Sequence, residues 1–128
     1  MGIDLSELEA MNAAIAASEA AVQREARAIV SKGALNIKTG WAANAQESSG
    51  HHAPHYPRSI SYDVTEAPGL IEAEIGPDKD RTQGPLGNIL EFGTSTQAGH
   101  NDGGRALDDE EPRFEAAVDA LAQTALDL

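Results

Sequence analysis

The residues with the most chemistry in this chain are gathered in "SSGHHAPHYPRS", residues 48–59, which holds His51, His52, His55 and Tyr56. Three imidazoles in five positions raise the prospect of a zinc site, which needs three or four ligands held by further hydrogen bonds. Zinc hydrolases place two histidines four apart on a helix with a glutamate between them. Here Pro54 lies between His52 and His55 and Pro57 follows. Both prolines oppose a helical presentation. The stretch therefore reads as a surface loop that aims the chain into a following strand. The competing reading is a small soluble metal-binding or hydrolytic domain built on His51, His52 and His55.

Other chemistries find less to stand on. The chain has no cysteine, which removes thiolate nucleophiles, sulfur-ligated zinc and disulfides. No serine sits in a G-x-S-x-G elbow, and no spacing sets one beside a histidine and a carboxylate. "GHNDGGRA", residues 99–106, lacks the lysine and hydroxyl register of a phosphate-binding loop. Carboxylates are plentiful, but none is marked as a catalytic pair. No cofactor is expected, and the chain reads as a non-enzyme.

The 128 residues carry a formal net charge of −12. That sign opposes tight nucleic-acid binding, which leaves a basic footprint. It suits solubility by self-repulsion, or a surface that DNA passes without adhering. No apolar run approaches the length of about 20 residues that spans a bilayer. "MGIDLSELEA" lacks the basic start and apolar stretch of a signal peptide.

The elements that must position these residues follow from periodicity, and the length suits one domain, 1–128. Residues 4–32 read as a long helix, capped by Asp4 or Ser6 and stopped at Lys32 and Gly33. Its apolar stripe, Leu8, Ile15, Val22 and Ile29, is narrow. It suits a helix laid along a sheet, or a seam shared with another subunit. "ALNI" reads as a short strand and "GWAANAQESS" as a short helix or an irregular segment, so a long loop is expected at about 40–58. "SISYDV" (59–64) and "LIEAEIG" (70–76) alternate about Pro68 and Gly69 and predict an antiparallel hairpin with one face covered by the long helix. "LGNILEFG" (86–93) predicts a short helix that breaks at Gly93. A glycine-rich loop at about 95–108 follows, long enough to be mobile or ordered only by a partner. The last helix is expected over about 109–126, with Asp108 to Glu111 at its N-terminus and Pro112 in its first turn. The fold class is α+β: a long N-terminal helix and a C-terminal helix packed on a small antiparallel sheet.

Within "GPLGNILEFGTS", Glu91 lies between Leu90 and Phe92. A carboxylate there must face solvent, find a basic partner or sit at an interface. Its two readings are the exposed edge of a short helix and an intersubunit contact.

This stretch, with "AEIGPD" upstream and "PRFEAAVDAL" downstream, resembles the tail-completion (head–tail joining) proteins of long-tailed bacteriophages. The matching positions are Thr39-Gly40, Ser59-Ile60, Glu74-Ile75-Gly76, Leu90-Glu91-Phe92-Gly93-Thr94, and Pro112, Phe114, Ala116 and Ala117. They run in family order over nearly the whole chain. The segment between Gly40 and Ser59 and the loop before Pro112 are longer than in typical members. The resemblance implies a virion protein of the neck, assembled in the host bacterial cytoplasm. It implies a homo-oligomer, a six-subunit ring, touching head-closure and tail-terminator or tail-tube proteins, with genome DNA passing through its lumen and no membrane. Leu90, Glu91, Phe92, Gly93 and Thr94 would form a fold-and-contact element, with Glu91 paired to Arg58, Arg81 or Arg105 of the same or the next subunit. Asp78, Lys79, Asp80 and Arg81 in the loop at 77–85, together with Arg105 in the loop at 95–107, would meet adjoining rings. Carboxylates lining the lumen would repel DNA phosphates.

Overall fold

The computed structural model describes residues 5–126. Helix α1 (Leu5–Ser49) is followed by a single 3-10 turn (Pro57–Ser59). Strands β1 (Ile60–Ala67) and β2 (Leu70–Pro77) come next. A second 3-10 turn (Gly84–Leu86) leads into helix α2 (Gly87–Phe92), and helix α3 (Asp102–Leu126) closes the chain. The class is α+β, with both long helices and an antiparallel pair of strands. Asp4, one of the expected caps, lies outside the described residues, and Ser6 sits inside α1.

The hairpin forms where period-two alternation placed it. Tyr62 pairs with Ile75 and Val64 with Ala73, so Ile60, Tyr62, Val64, Ile71, Ala73 and Ile75 share one face. Gly69 turns the chain at φ 75° behind Pro68, the backbone that a Pro–Gly turn requires. Two strands alone are marginal in water, and α1 supplies the cover. Trp41 reaches Gly76 at the open end of the hairpin. At its tip Glu66 takes the Arg27 guanidinium through both oxygens, at 2.6 and 2.9 Å, and Gln23 Nε2 at 2.8 Å. These donors hold the Glu66 carboxyl well below its ordinary 4.5, at about 2.

Three sequence expectations about helix ends are corrected. Gly33 does not stop α1, which runs on through "ALNI", expected as a strand, and "GWAANAQESS" to Ser49. A Cβ at Gly33 would lie 3.1 Å from the Phe114 ring, and one at Gly40 would lie 3.3 Å from Ala106. Both glycines let α3 pack closely, and that contact overrides a helix penalty of about 1 kcal/mol each. The expected loop at 40–58 shrinks to the turns between Ser49 and Pro57. Helix α3 begins at Asp102 rather than near 109, so Asp108 to Glu111 lie inside it and Pro112 is interior. Pro112 and Asp108, whose carbonyl loses its donor there, are both exposed, and water can replace that hydrogen bond.

Helices α1 and α3 run antiparallel. Asn44 donates to the Asp102 carbonyl at 3.0 Å and Asn36 to Glu110 at 3.0 Å. The buried hydrophobic core is small: Ala34, Ala45, Ala53, Tyr56, Ile60 and Ala106, with Trp41, Ala42, Ile75 and Leu90 packed against part of it. The stripe of α1 meets the rest of the protein only from about Val22 onward, and residues 8–17 are all exposed.

Candidate partner-contact site

Helix α2 is six residues long and ends because Gly93 adopts φ 85°. The chain then doubles back so tightly that a Cβ at Gly93 would strike the backbone of Gln97, Ala98 and Gly99. Glycine is required there both for its conformation and for that approach. Thr94 N–H donates to the Gln97 carbonyl at 2.8 Å, and Thr94 Oγ1 accepts from Gln97 N–H at 3.1 Å. His100 and Asn101 N–H donate to the Leu90 and Glu91 carbonyls at 2.8 and 3.0 Å. The glycine-rich segment, expected to be mobile or to need a partner for order, is thus closed by its own hydrogen bonds.

The five residues Leu90 to Thr94 divide their work. Leu90 packs against the core. Glu91 is 7% exposed, and its carboxylate accepts Gly103 N–H at 2.9 and 3.1 Å and Gly104 N–H at 3.4 Å. These are donors of the first turn of α3, which has no carbonyls of its own to fill them and carries the positive end of the helix dipole. Within its own subunit Glu91 therefore pairs with none of Arg58, Arg81 and Arg105, and it does not stand on an exposed edge; those two expectations are corrected. Phe92 points the other way and is 79% exposed. Gly93 and Thr94 form the turn. Of the five, Phe92 carries the large apolar surface open to a partner.

Trp41 lies over the same helix start. A Cβ on Gly103 would come within 2.8 Å of its ring. Asp102, 1% exposed, accepts Ser48 Oγ at 2.8 Å and Arg105 Nη2 at 2.6 Å. Arg105 thus serves the helix start of its own chain. Burial pushes the nearby Tyr56 hydroxyl above its ordinary range, against the opposing effect of the Trp41 indole.

The 77–85 loop is likewise internally tied. Asp78 accepts Asp80 N–H at 2.9 Å and lies 3.6 Å from Arg81 Nε, while Arg81 Nη1 donates to the Arg58 carbonyl at 3.1 Å. Gln83, at φ 64°, accepts His55 N–H at 2.6 Å. Lys79, Asp80 and Arg81 are exposed and can meet a partner.

The histidines do not converge. His51, His52 and His55 are exposed, and His55 Nδ1 lies 3.3 Å from Arg58 Nη2. Among the described residues, no three His, Cys, Asp or Glu side chains gather in a metal-binding group. The fold does assemble one grouping that spacing did not reveal: Ser49, His100 and Asp102. Ser49 Oγ lies 3.0 Å and Asp102 Oδ2 3.9 Å from the same ring nitrogen, Nδ1. A relay that activates serine needs its two partners on opposite ring nitrogens, and Ser49 is 2% exposed. The grouping instead ties the end of α1 to the start of α3.

Exposed carboxylates form one ordered feature. Asp108, Glu111, Glu115 and Asp119 recur at three- and four-residue spacing along α3, all exposed, and so make one acidic ridge. No helix among the described residues is long and apolar enough to cross a membrane. Comparison with protein-family models, curated proteins and solved structures gave no match.

Proposed function

We propose that this chain is a structural virion protein that assembles into a ring in the phage neck, joins the DNA-filled head to the tail and lets DNA pass. The observation that carries this reading is surface. The chain exposes 8847 Å², against roughly 6,500 Å² for a compact monomer of 13.4 kDa. Leu8, Met11, Ile15, Leu107, Val118 and Phe92 are among the large apolar side chains left open. Exposure on this scale fits a component completed by neighbours. The ordered motif set from Thr39-Gly40 to Ala117 directs the reading to the neck. The acidic ridge of α3 suits a channel wall that repels phosphates, and Phe92 with the 79–81 loop tip suits contacts to neighbouring components.

The test is a phage lacking this chain. DNA-filled heads and separate tails are expected, restored to joined particles by the added protein. Infectious, joined particles made without it would end the proposal. The alternative, a metal-binding or hydrolytic domain using His51, His52 and His55, is checked by metal analysis of purified protein, where stoichiometric zinc would favour it.

A further inference from the structure

We propose that the first turns of α1, residues 8–18, dock in the apolar groove of a second copy of this chain, so that each subunit offers an arm to one neighbour and a groove to the other. This rests on the ring reading above and supplies its joint.

The arm is defined by its sequence and its exposure. From Ala10 to Ser18 the helix has no charged residue, although charged residues make up 23% of the chain. Leu8, Met11 and Ile15 stand on one face, at 41, 55 and 52% exposure. Their spacing of three and four is that of a helix face made to be covered. The same stripe continues into Val22 and Ile29, which are partly buried against the body. Alanines fill most of the other positions, so the arm is slim and its backbone can approach a partner closely.

The groove lies on the body between α1, β2 and α3. Val30, Ile37, Ile71, Ile75, Leu107 and Phe114 line an open cavity of about 470 Å³, and Phe92 and Trp41 extend the apolar surface beyond it. Glu111 and Glu115 edge the groove. An acidic edge disfavours an acidic occupant, and the chain carries 21 acidic residues against 9 basic ones. The uncharged stretch 10–18 meets that condition. Glu9 lies off the apolar face, about 130° round the helix from the centre of Leu8, Met11 and Ile15.

The arm cannot reach its own groove. It is the continuation of the helix whose Val30 and Ile37 form one wall. The groove it fills must therefore belong to another copy. Such a contact joins unlike surfaces and propagates head to tail, closing as a ring when the rotation permits. A subunit between two neighbours covers roughly 800 Å² on each side, within the excess of about 2,300 Å² that the chain exposes over a compact monomer of its mass.

The chain has no cysteine, so the test needs no background mutations. Ile15→Cys and Leu107→Cys are combined and treated with a short bismaleimide at rising protein concentration, with mass measured in parallel on untreated protein. A ladder of covalent oligomers ending at the ring size is expected from the double variant and from neither single one. Covalent dimers from Ile15→Cys alone would mean arm-to-arm pairing and overturn the inference. An oligomeric mass with no ladder would overturn the docking while sparing the ring. A monomeric mass with no ladder would overturn the docking outright. As a second measure, Met11→Glu with Ile15→Glu should weaken self-association at least tenfold with the unfolding midpoint of the α1–α3 body unchanged, and undiminished association would count against the joint.

Discussion

The Glu91 carboxylate receives the Gly103 backbone N–H through both oxygens, at 2.9 and 3.1 Å, across twelve positions of sequence. One acidic side chain at the end of a short helix thereby fixes where a long one begins. Glu91→Ala would leave buried donors unfilled and should destabilise by about 2 kcal/mol. Glu91→Gln, which keeps an acceptor, should cost less. Alanine at Arg58 or Arg81 should not mimic the loss. Urea denaturation of the four variants checks this.

Gly103→Ala should destabilise by about 1–3 kcal/mol, because the added methyl has to displace a packed ring. The Trp41 ring atoms lie 2.8 Å from the position it would take. Trp41 is the one tryptophan in the chain, so a change in its fluorescence emission reads the displacement directly.

Phe92→Ser should leave stability within about 0.5 kcal/mol, as exposed substitutions usually do, and should weaken assembly. Thermal unfolding and sedimentation of the same sample separate the two effects. Equal loss in both would place the ring in the core instead.

The Glu66 contact predicts a pH window. Its carboxyl is held at about 2 in the folded chain, first by the Arg27 hydrogen bonds and next by Gln23, against an ordinary 4.5. Between those values the unfolded chain binds the proton more readily, so stability falls as pH drops through that range. Above pH 5 the contribution is fully present. Glu66→Gln should flatten this part of the stability–pH curve while matching the parent more closely near pH 2. Its size at neutral pH will be small, because the pair is solvated.

On the proposed ring reading, replacing Asp108, Glu111, Glu115 and Asp119 by their amides should raise retention of duplex DNA, with the gain lost as salt increases. Unchanged retention would put the ridge on the outside of the ring.

The hairpin was legible from sequence because alternation is local: Ile60, Tyr62 and Val64 announce their face without any knowledge of what covers it. The end of α1 and the start of α3 were not, for one physical reason. Gly33, Gly40 and Gly103 look like punctuation, yet each makes room for a ring or methyl from a distant element. Sequence can register that a glycine lacks a side chain but not which neighbour fills the space. Glu91 was conspicuous as a carboxylate in an apolar run. Its partner was hidden because backbone N–H groups leave no mark in a sequence, whereas arginines do.

Helix α1 is geometrically one rod of 45 residues, about 67 Å at 1.5 Å per residue, but it cannot be one unit of cooperativity. Its later turns are locked to α3 and the hairpin, whereas residues 8–17 are all exposed and lean chiefly on alanine propensity, which is marginal for so short a stretch in water. Amide hydrogens should therefore exchange along a gradient, rapid near Leu8 and slow near Ala34 and Ala45. The rod is built to fray at one end, and whatever grips that end would convert a melting segment into a rigid strut.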